Sequence, residues 1–276
     1  MLREIESIHS ARPAHDGDGV ALMRNDLFDG RLDPFLMLDQ IEAKPNDSVG
    51  AFPVHPHRGI QTLSYIIHGG MAHKDSMGNA SQIASGGIQW MHTGRGIEHS
   101  EIPLLDEQGL LGFQFWLNVT REEKFQAPHY QDMSAEQLTT MALSHAKIKL
   151  IAGDWQINQS QQHSSFNRLS GQAGVLDIAW SDEEPIEIYE NATTLAGYVY
   201  GGTIQVNSNT QLQAGQLVQF SKGERVQLNG IKNSGLLIFK GEPIGETIVH
   251  RGPFVMTSAT EIEQTIQAYR NGTLVY

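Results

Sequence analysis

The sequence predicts an all-β protein made of two similar β domains in tandem, with only a few short helices. Three observations predict it. Short apolar runs punctuated by glycine recur along the chain, helical periodicity is scarce, and one strand–turn–strand unit occurs twice. The runs fall at residues 63–67, 89–91, 111–119, 175–180, 195–200 and 236–239. Twenty-eight glycines in 276 residues suit a fold with many turns. Helix is expected in two places. Ser134 can cap a single turn over 134–138, and residues 261–269 place Ile262, Ile266 and Tyr269 on one helical face.

The repeat sets the domain organisation. Ser64-Tyr65-Ile66-Ile67-His68-Gly69-Gly70-Met71 resembles Gly197-Tyr198-Val199-Tyr200-Gly201-Gly202-Thr203-Ile204, with the paired glycines 132 residues apart. Downstream, Gly87 answers Gly215 at an offset of 128. Two nearly equal offsets imply one unit used twice, with a slightly shorter loop in the second copy. Glu122, Glu123, Lys124, Pro128 and Asp132 interrupt the strands between the copies. The expected domains are residues 1–130 and 131–276, the second including the short C-terminal helix.

Composition narrows the chemistry. With no cysteine, thiolate metal sites, iron–sulfur clusters and cysteine nucleophiles are excluded, so any metal must be held by imidazole and carboxylate. A net charge of −12 disfavours phosphate backbones and anionic lipid, so neither direct nucleic-acid binding nor membrane binding is expected. The first thirty residues show no apolar segment of signal-peptide type, and no run approaches the ~18 apolar residues of a membrane span. A cytoplasmic protein is the expectation.

Nine of the twelve histidines precede residue 130. In His55-Pro56-His57 the two imidazoles stand at i and i+2, which in a strand puts them on one face, roughly 6.5–7 Å apart along the chain. His99-Ser100-Glu101 has the same spacing. On neighbouring strands, the two pairs would close three nitrogens and one carboxylate around a divalent metal and leave positions open. That donor set suits iron, manganese, nickel, copper or zinc without selecting one.

These residues carry a family resemblance. His55-Pro56-His57-Arg58-Gly59, the string from Met71 to Asn79, Gln89-Trp90-Met91 and Gly94-Arg95-Gly96-Ile97 running into His99-Ser100-Glu101 resemble the pirin signature. Phe115-Trp116-Leu117-Asn118, Tyr130-Gln131-Asp132, Gly241 to Glu246 and Gly252-Pro253-Phe254-Val255-Met256 extend it over nearly the whole chain. The resemblance implies two cupin (jelly-roll) β-barrels and one divalent metal, Fe(II) foremost and Zn, Ni, Mn or Cu as alternatives. The ligands would be His55, His57, His99 and Glu101. Cupins in general carry a glutamate a few residues after His-x-His; that position is near Gln61 here, which bears on pocket charge and not on ligation.

The resemblance also implies quercetin 2,3-dioxygenase-like activity on a small planar phenol, with Glu101 as ligand and catalytic base. A competing expectation is a metal- or redox-responsive regulatory protein that binds a protein partner without turnover. A cupin isomerase would need basic residues to hold an anionic substrate, and no such cluster is evident. Carried by the repeat offsets, His55 and His57 fall near Glu187 and Tyr189, and His99 and Glu101 near Gln227 and Asn229. One metal per chain is therefore expected. His73 is assigned to packing, His68 and His92 are candidates for outer-sphere contacts, and Arg58 and Arg95 for orienting glutamate or substrate. Trp90, Phe113, Phe115 and Trp116 are read mainly as core.

Overall fold

The computed structural model describes residues 1–275, and strands dominate it. Among the described residues the one α-helix is α1 (Ala259–Arg270), where helix was expected. Ser258 caps it by accepting from the Glu261 N–H. The other expected helix, at 134–138, is only a turn. One isolated turn cannot repay the cost of helix nucleation.

Two compact units form, one from Met1–Ala11 with Glu136–Pro243 and the other from Arg12–Ala135 with the chain from Ile244 onward. These units differ from the expected residues 1–130 and 131–276 chiefly in where the two ends of the chain belong. Strand β1 (Ile5–Ser10) pairs with Gln216–Phe220 in the unit of the second repeat. There the buried Arg3 guanidinium donates to the carbonyls of Glu190, Ala192 and Ser221. The C-terminal segment joins the first repeat instead, with Val255 N–H donating to the Arg58 carbonyl. The repeat marks only the strand–turn–strand cores, and says nothing about where the ends of the chain dock.

The second-repeat unit has a seven-stranded and a six-stranded antiparallel sheet and a hydrophobic core cluster that includes Trp155, Ile178, Ile188, Val226 and Leu228. The turn glycines that coincide in backbone conformation are Gly69 with Gly202 and Gly86 with Gly215, all at positive φ. That register is one residue away from the sequence alignment. It moves His55 and His57 onto Ile188 and Glu190, and the matching strand pairs put His99 and Glu101 onto Val226 and Leu228. Ile188 and Leu228 are fully buried among hydrophobic side chains, and Glu190 pairs with Lys240.

The first-repeat unit holds β2 (Arg12–Asp16), β3 (Val20–Asp26), β4 (Phe35–Ala43), β5 (Phe52–His57), β6 (Ile60–His68) and β7 (Gly70–Asp75). It continues with β8 (Ala80–Ala84), β9 (Ile88–His92), β10 (Ile97–Leu104), β11 (Leu110–Asn118) and β12 (His129–Met133). One sheet runs β12-β9-β6-β11-β4-β3-β2 and the other β5-β10-β7-β8. In β10 the alternation is strict, with Ile97, His99, Glu101 and Pro103 buried and Ile102 exposed. Its register sets His99 opposite His55 on one side and Asp75 on the other, and sets Glu101 opposite His73.

The turn leaving β5 is held from two directions. Gly59 has φ +81°, and a Cβ there would lie 2.0 Å from the Val255 carbonyl oxygen, so no other residue fits. The fully buried Lys124 donates from Nζ to the Gly59 carbonyl and to Asn118 Oδ1, each at 2.7 Å. Burial pulls its pKa down to about 8, against the opposing pull of Glu246, Glu261, Glu123 and Asp33. Between pH 8 and the unfolded value of 10.5 the unfolded chain binds more protons at this group, so stability rises with pH across that window. Relative to Lys124→Met, the parent is expected to gain up to about 3 kcal/mol from pH 8 to pH 10.5 in denaturant unfolding. Identical pH dependence in the two proteins would contradict this.

Candidate metal centre

Alternation along β5, β7 and β10 turns His55, His57, His73, His99 and Glu101 to one face of the four-stranded sheet. His55 Nε2 and His57 Nε2 stand 3.1 Å apart. The His99 ring lies 4.3 Å from that of His55 and 5.0 Å from that of His57. His55, His57 and His99 form one potential metal-binding group, and His73, His99 and Glu101 form a second that shares His99. In each group the ligand atoms all lie within 4.8 Å of one another.

The outer contacts decide where the protons sit. His55 Nδ1 donates to the Pro53 carbonyl at 2.7 Å, and His57 Nδ1 faces the Pro253 carbonyl at 3.4 Å. Both Nε2 atoms therefore present lone pairs to each other with no proton between them, a repulsive contact that a cation would relieve. His99 Nε2 is buried with no hydrogen-bond partner. Burial holds all three rings neutral at pH 7. His57 is held down to about 3, mainly by burial and then by His55; His99 is lowered well below the usual imidazole value, and His55 is lowered too. Neutral imidazoles with lone pairs aimed at one place, one of them orphaned, are the donor set a divalent transition metal requires, so the residues fit one.

Glu101 is 2% exposed, and burial pushes its carboxyl up to about 7. Gln114, on β11 in the opposite sheet, opposes that shift by donating from Nε2 to Oε2 at 3.2 Å. Trp116 Nε1 donates to Gln114 Oε1 at 3.2 Å, which fixes the amide with its NH2 toward the glutamate. A cavity of about 550 Å³ opens above, lined by His55, His57, Glu101, Gln114 and Trp116, with Phe28, Met37, Ile41 and Phe52 adding apolar wall. His250 stacks on Phe28 at 3.8 Å along that lining. Among the described residues, Arg24 is the one lysine or arginine lining the cavity. It is bound to Asp39 at 2.9 and 2.7 Å and to Asp16 at 2.8 Å.

Of the four residues singled out in the sequence, His55, His57 and Glu101 line the cavity and His99 does not; His99 joins His55 and His57 in one potential metal-binding group and Glu101 in the other. The other assignments fare differently. His73, expected to pack, instead meets His99, their Nδ1 atoms 3.5 Å apart. His92 donates to the Glu123 carbonyl and does not line the cavity, and His68 sits at the far end of β6 opposite Leu111. Neither gives the outer-sphere contact considered for it. Arg58 lies over the Phe125 ring at 5.1 Å, outside the cavity. Trp116 lines the cavity, whereas Phe113 and Phe115 are core. Gln61 is buried outside the lining, so the acidic wall comes from Asp16, Asp18, Asp26 and Asp39. Sequence reading missed Gln114 and Asp75. The signal was the same two-residue alternation, Gln114 with Trp116 and His73 with Asp75.

Comparison with known proteins identifies the relatives of the chain. Residues 23–117 match the family described as Pirin, and residues 175–275 match the Pirin C-terminal cupin domain. A Vibrio cholerae protein provisionally named quercetin 2,3-dioxygenase is 37% identical over 98% of this chain and 97% of its own. Pirin of Mus musculus is 35% identical over 87% of this chain and 82% of its own. Among solved structures, a quercetin 2,3-dioxygenase from Acinetobacter baumannii superposes with a TM-score of 0.88 at 25% identity, covering 99% of both chains. A bacterial pirin from Escherichia coli in complex with nickel(II) has a TM-score of 0.62 at 19% identity, covering 86% of this chain and all of that one, a likeness of fold alone. No described helix is long and apolar enough to cross a membrane.

Proposed function

This chain belongs to the pirin family, and on that premise we propose that it is a metal-dependent dioxygenase that oxidatively opens flavonol-like, enolisable phenols. The observation that carries the reading is the clustering of three neutral imidazoles, His55, His57 and His99, with the buried Glu101 grouped with His99, beside an aromatic-walled cavity that His55, His57 and Glu101 line. His55, His57 and His99 through Nε2, with Glu101, would hold one divalent metal, Fe(II) foremost. Bound there, such a metal supplies Lewis acidity toward a chelated hydroxyl and redox capacity toward dioxygen.

The chain's own groups do the rest. Glu101 takes the proton of the flavonol 3-hydroxyl, its burial making the carboxylate more basic than a solvent-exposed one. Gln114 holds the carboxylate in place for that transfer. Phe28, Trp116 and His250 give the cavity an aromatic wall suited to a planar ring system. Arg24 is saturated by Asp16 and Asp39, so among the described residues no free Lys or Arg lines the pocket to hold a carboxylate substrate. A neutral phenol suits this wall better than a sugar acid or keto acid.

The test is oxygen uptake and carbon monoxide release with a flavonol, after elemental analysis and reconstitution with each candidate metal. Turnover with at least one metal is expected. Failure with all of them, together with metal-dependent capture of a protein partner, would establish the regulatory reading instead. The same samples are expected to contain one metal per chain, because the second-repeat counterparts of the ligands include Ile188 and Leu228. A ratio near two, with the second ion in that unit, would contradict this.

A further inference from the structure

Met71 to Asn79 belongs to the family-like pattern, yet nothing in the proposed reaction uses its polar residues. The side chains of His73 and Asp75 are fully buried, with His73 Nε2 3.1 Å from Asp75 Oδ2. Asp75 is acceptor to three further donors. Met77 N–H and Asn79 N–H reach Oδ1 at 2.9 and 3.0 Å, and Asn79 Nδ2 reaches Oδ2 at 2.8 Å. Tyr130 stacks on the His73 ring at 4.8 Å and is itself held by Ser81 and Gln89.

Proton bookkeeping then has one solution. A carboxylate surrounded by donors accepts from His73 Nε2–H, so neutral His73 carries its lone pair on Nδ1. That lone pair faces His99 Nδ1 at 3.5 Å, which must then be the protonated nitrogen of His99. The His99 lone pair falls on Nε2, the buried atom without a partner. We propose that Asp75 and His73 form a hydrogen-bonded relay that fixes the tautomer and orientation of His99, and thereby sets the affinity of the centre for its metal. Both are positioning residues, and the proposal rests on the reading of His99 as a ligand.

Asp75→Asn keeps the shape and the Oδ1 bonds of the turn but presents an N–H to His73 Nε2. The relay then inverts and drives a proton toward His99 Nε2. In competition with a chromophoric chelator for Zn(II), Asp75→Asn and His73→Phe are each expected to bind about 10–100-fold more weakly than the parent. His73→Gln, whose amide oxygen still accepts from His99 Nδ1–H, should lie between His73→Phe and the parent. A merely structural role would not produce that order, since phenylalanine keeps the stacking on Tyr130. In the metal-free parent, nitrogen-15 shifts of His99 should show the proton on Nδ1, and in Asp75→Asn on Nε2.

Parent-like zinc affinity in both Asp75→Asn and His73→Phe, or a His99 proton on Nε2 in the parent, would overturn the relay. A parent that holds no zinc would overturn the ligand reading and the affinity claim together. The ring-nitrogen shifts, read without metal, separate that failure from failure of the relay itself.

Discussion

Glu101→Gln is expected to lower flavonol turnover per bound metal by about 10²–10⁴-fold, the usual contribution of a general base. The substitution keeps the size of the side chain and one oxygen for the metal, but removes the charge and most of the basicity. Occupancy should fall as well, so the comparison must be made per metal ion at saturating metal. If Glu101 is a ligand alone, saturating metal restores the parent rate. If it also takes the substrate proton, the deficit remains. Burial pushes the Glu101 carboxyl up to about 7 without metal, and a bound cation would lower it, so the rate per metal ion is what separates the two outcomes. Gln114 Nε2 would face an amide in the variant, so circular dichroism should accompany the rate measurement. Metal-replete Glu101→Gln working at the parent rate would refute the base role.

His57→Ala is expected to cost at least ~100-fold in metal affinity, since loss even of an outer partner typically costs 10–100-fold. The fold should persist. The ring is buried beside Trp116, 4.9 Å between ring centres, but its Nε2 confronts that of His55 at 3.1 Å with no proton between them. Removing the ring therefore relieves a repulsion in the metal-free protein while deleting a donor from the loaded one. The readout is the stabilisation that added metal confers, which follows RT ln(1 + [metal]/Kd) and is about 2.7 kcal/mol at a hundredfold excess over Kd. Thermal unfolding with and without metal should show that gain largely lost in His57→Ala, with the metal-free midpoint close to the parent's. Full occupancy of the variant at low free metal would remove His57 from the site.

Much of the centre is legible in the chain because strand alternation is local. A two-residue period puts His55 with His57, and His99 with Glu101, on one face wherever the strands end up. The duplicated Gly-Gly unit likewise marks two β cores, to within one residue of register. Gln114 lay within a run already read as a strand, but the sequence does not state that β11 in one sheet faces β10 in the other. His73 looked like packing for the same reason, since its role depends on β7 lying beside β10 in the register that brings His99 close to it.

By itself, then, the sequence determined the strand content, the duplication, the absence of thiolate chemistry and the two candidate ligand pairs. All follow from composition or from spacing over a few residues. The tertiary structure alone decided which strands are neighbours, that β1 joins the second repeat, and that Pro253, 196 residues from His57, supplies the carbonyl facing its Nδ1. It also decided that the relay from Asp75 ends at the orphaned Nε2 of His99. Those contacts join segments whose meeting depends on closing long loops and on sheet register, and neither leaves a periodic trace in the residues themselves.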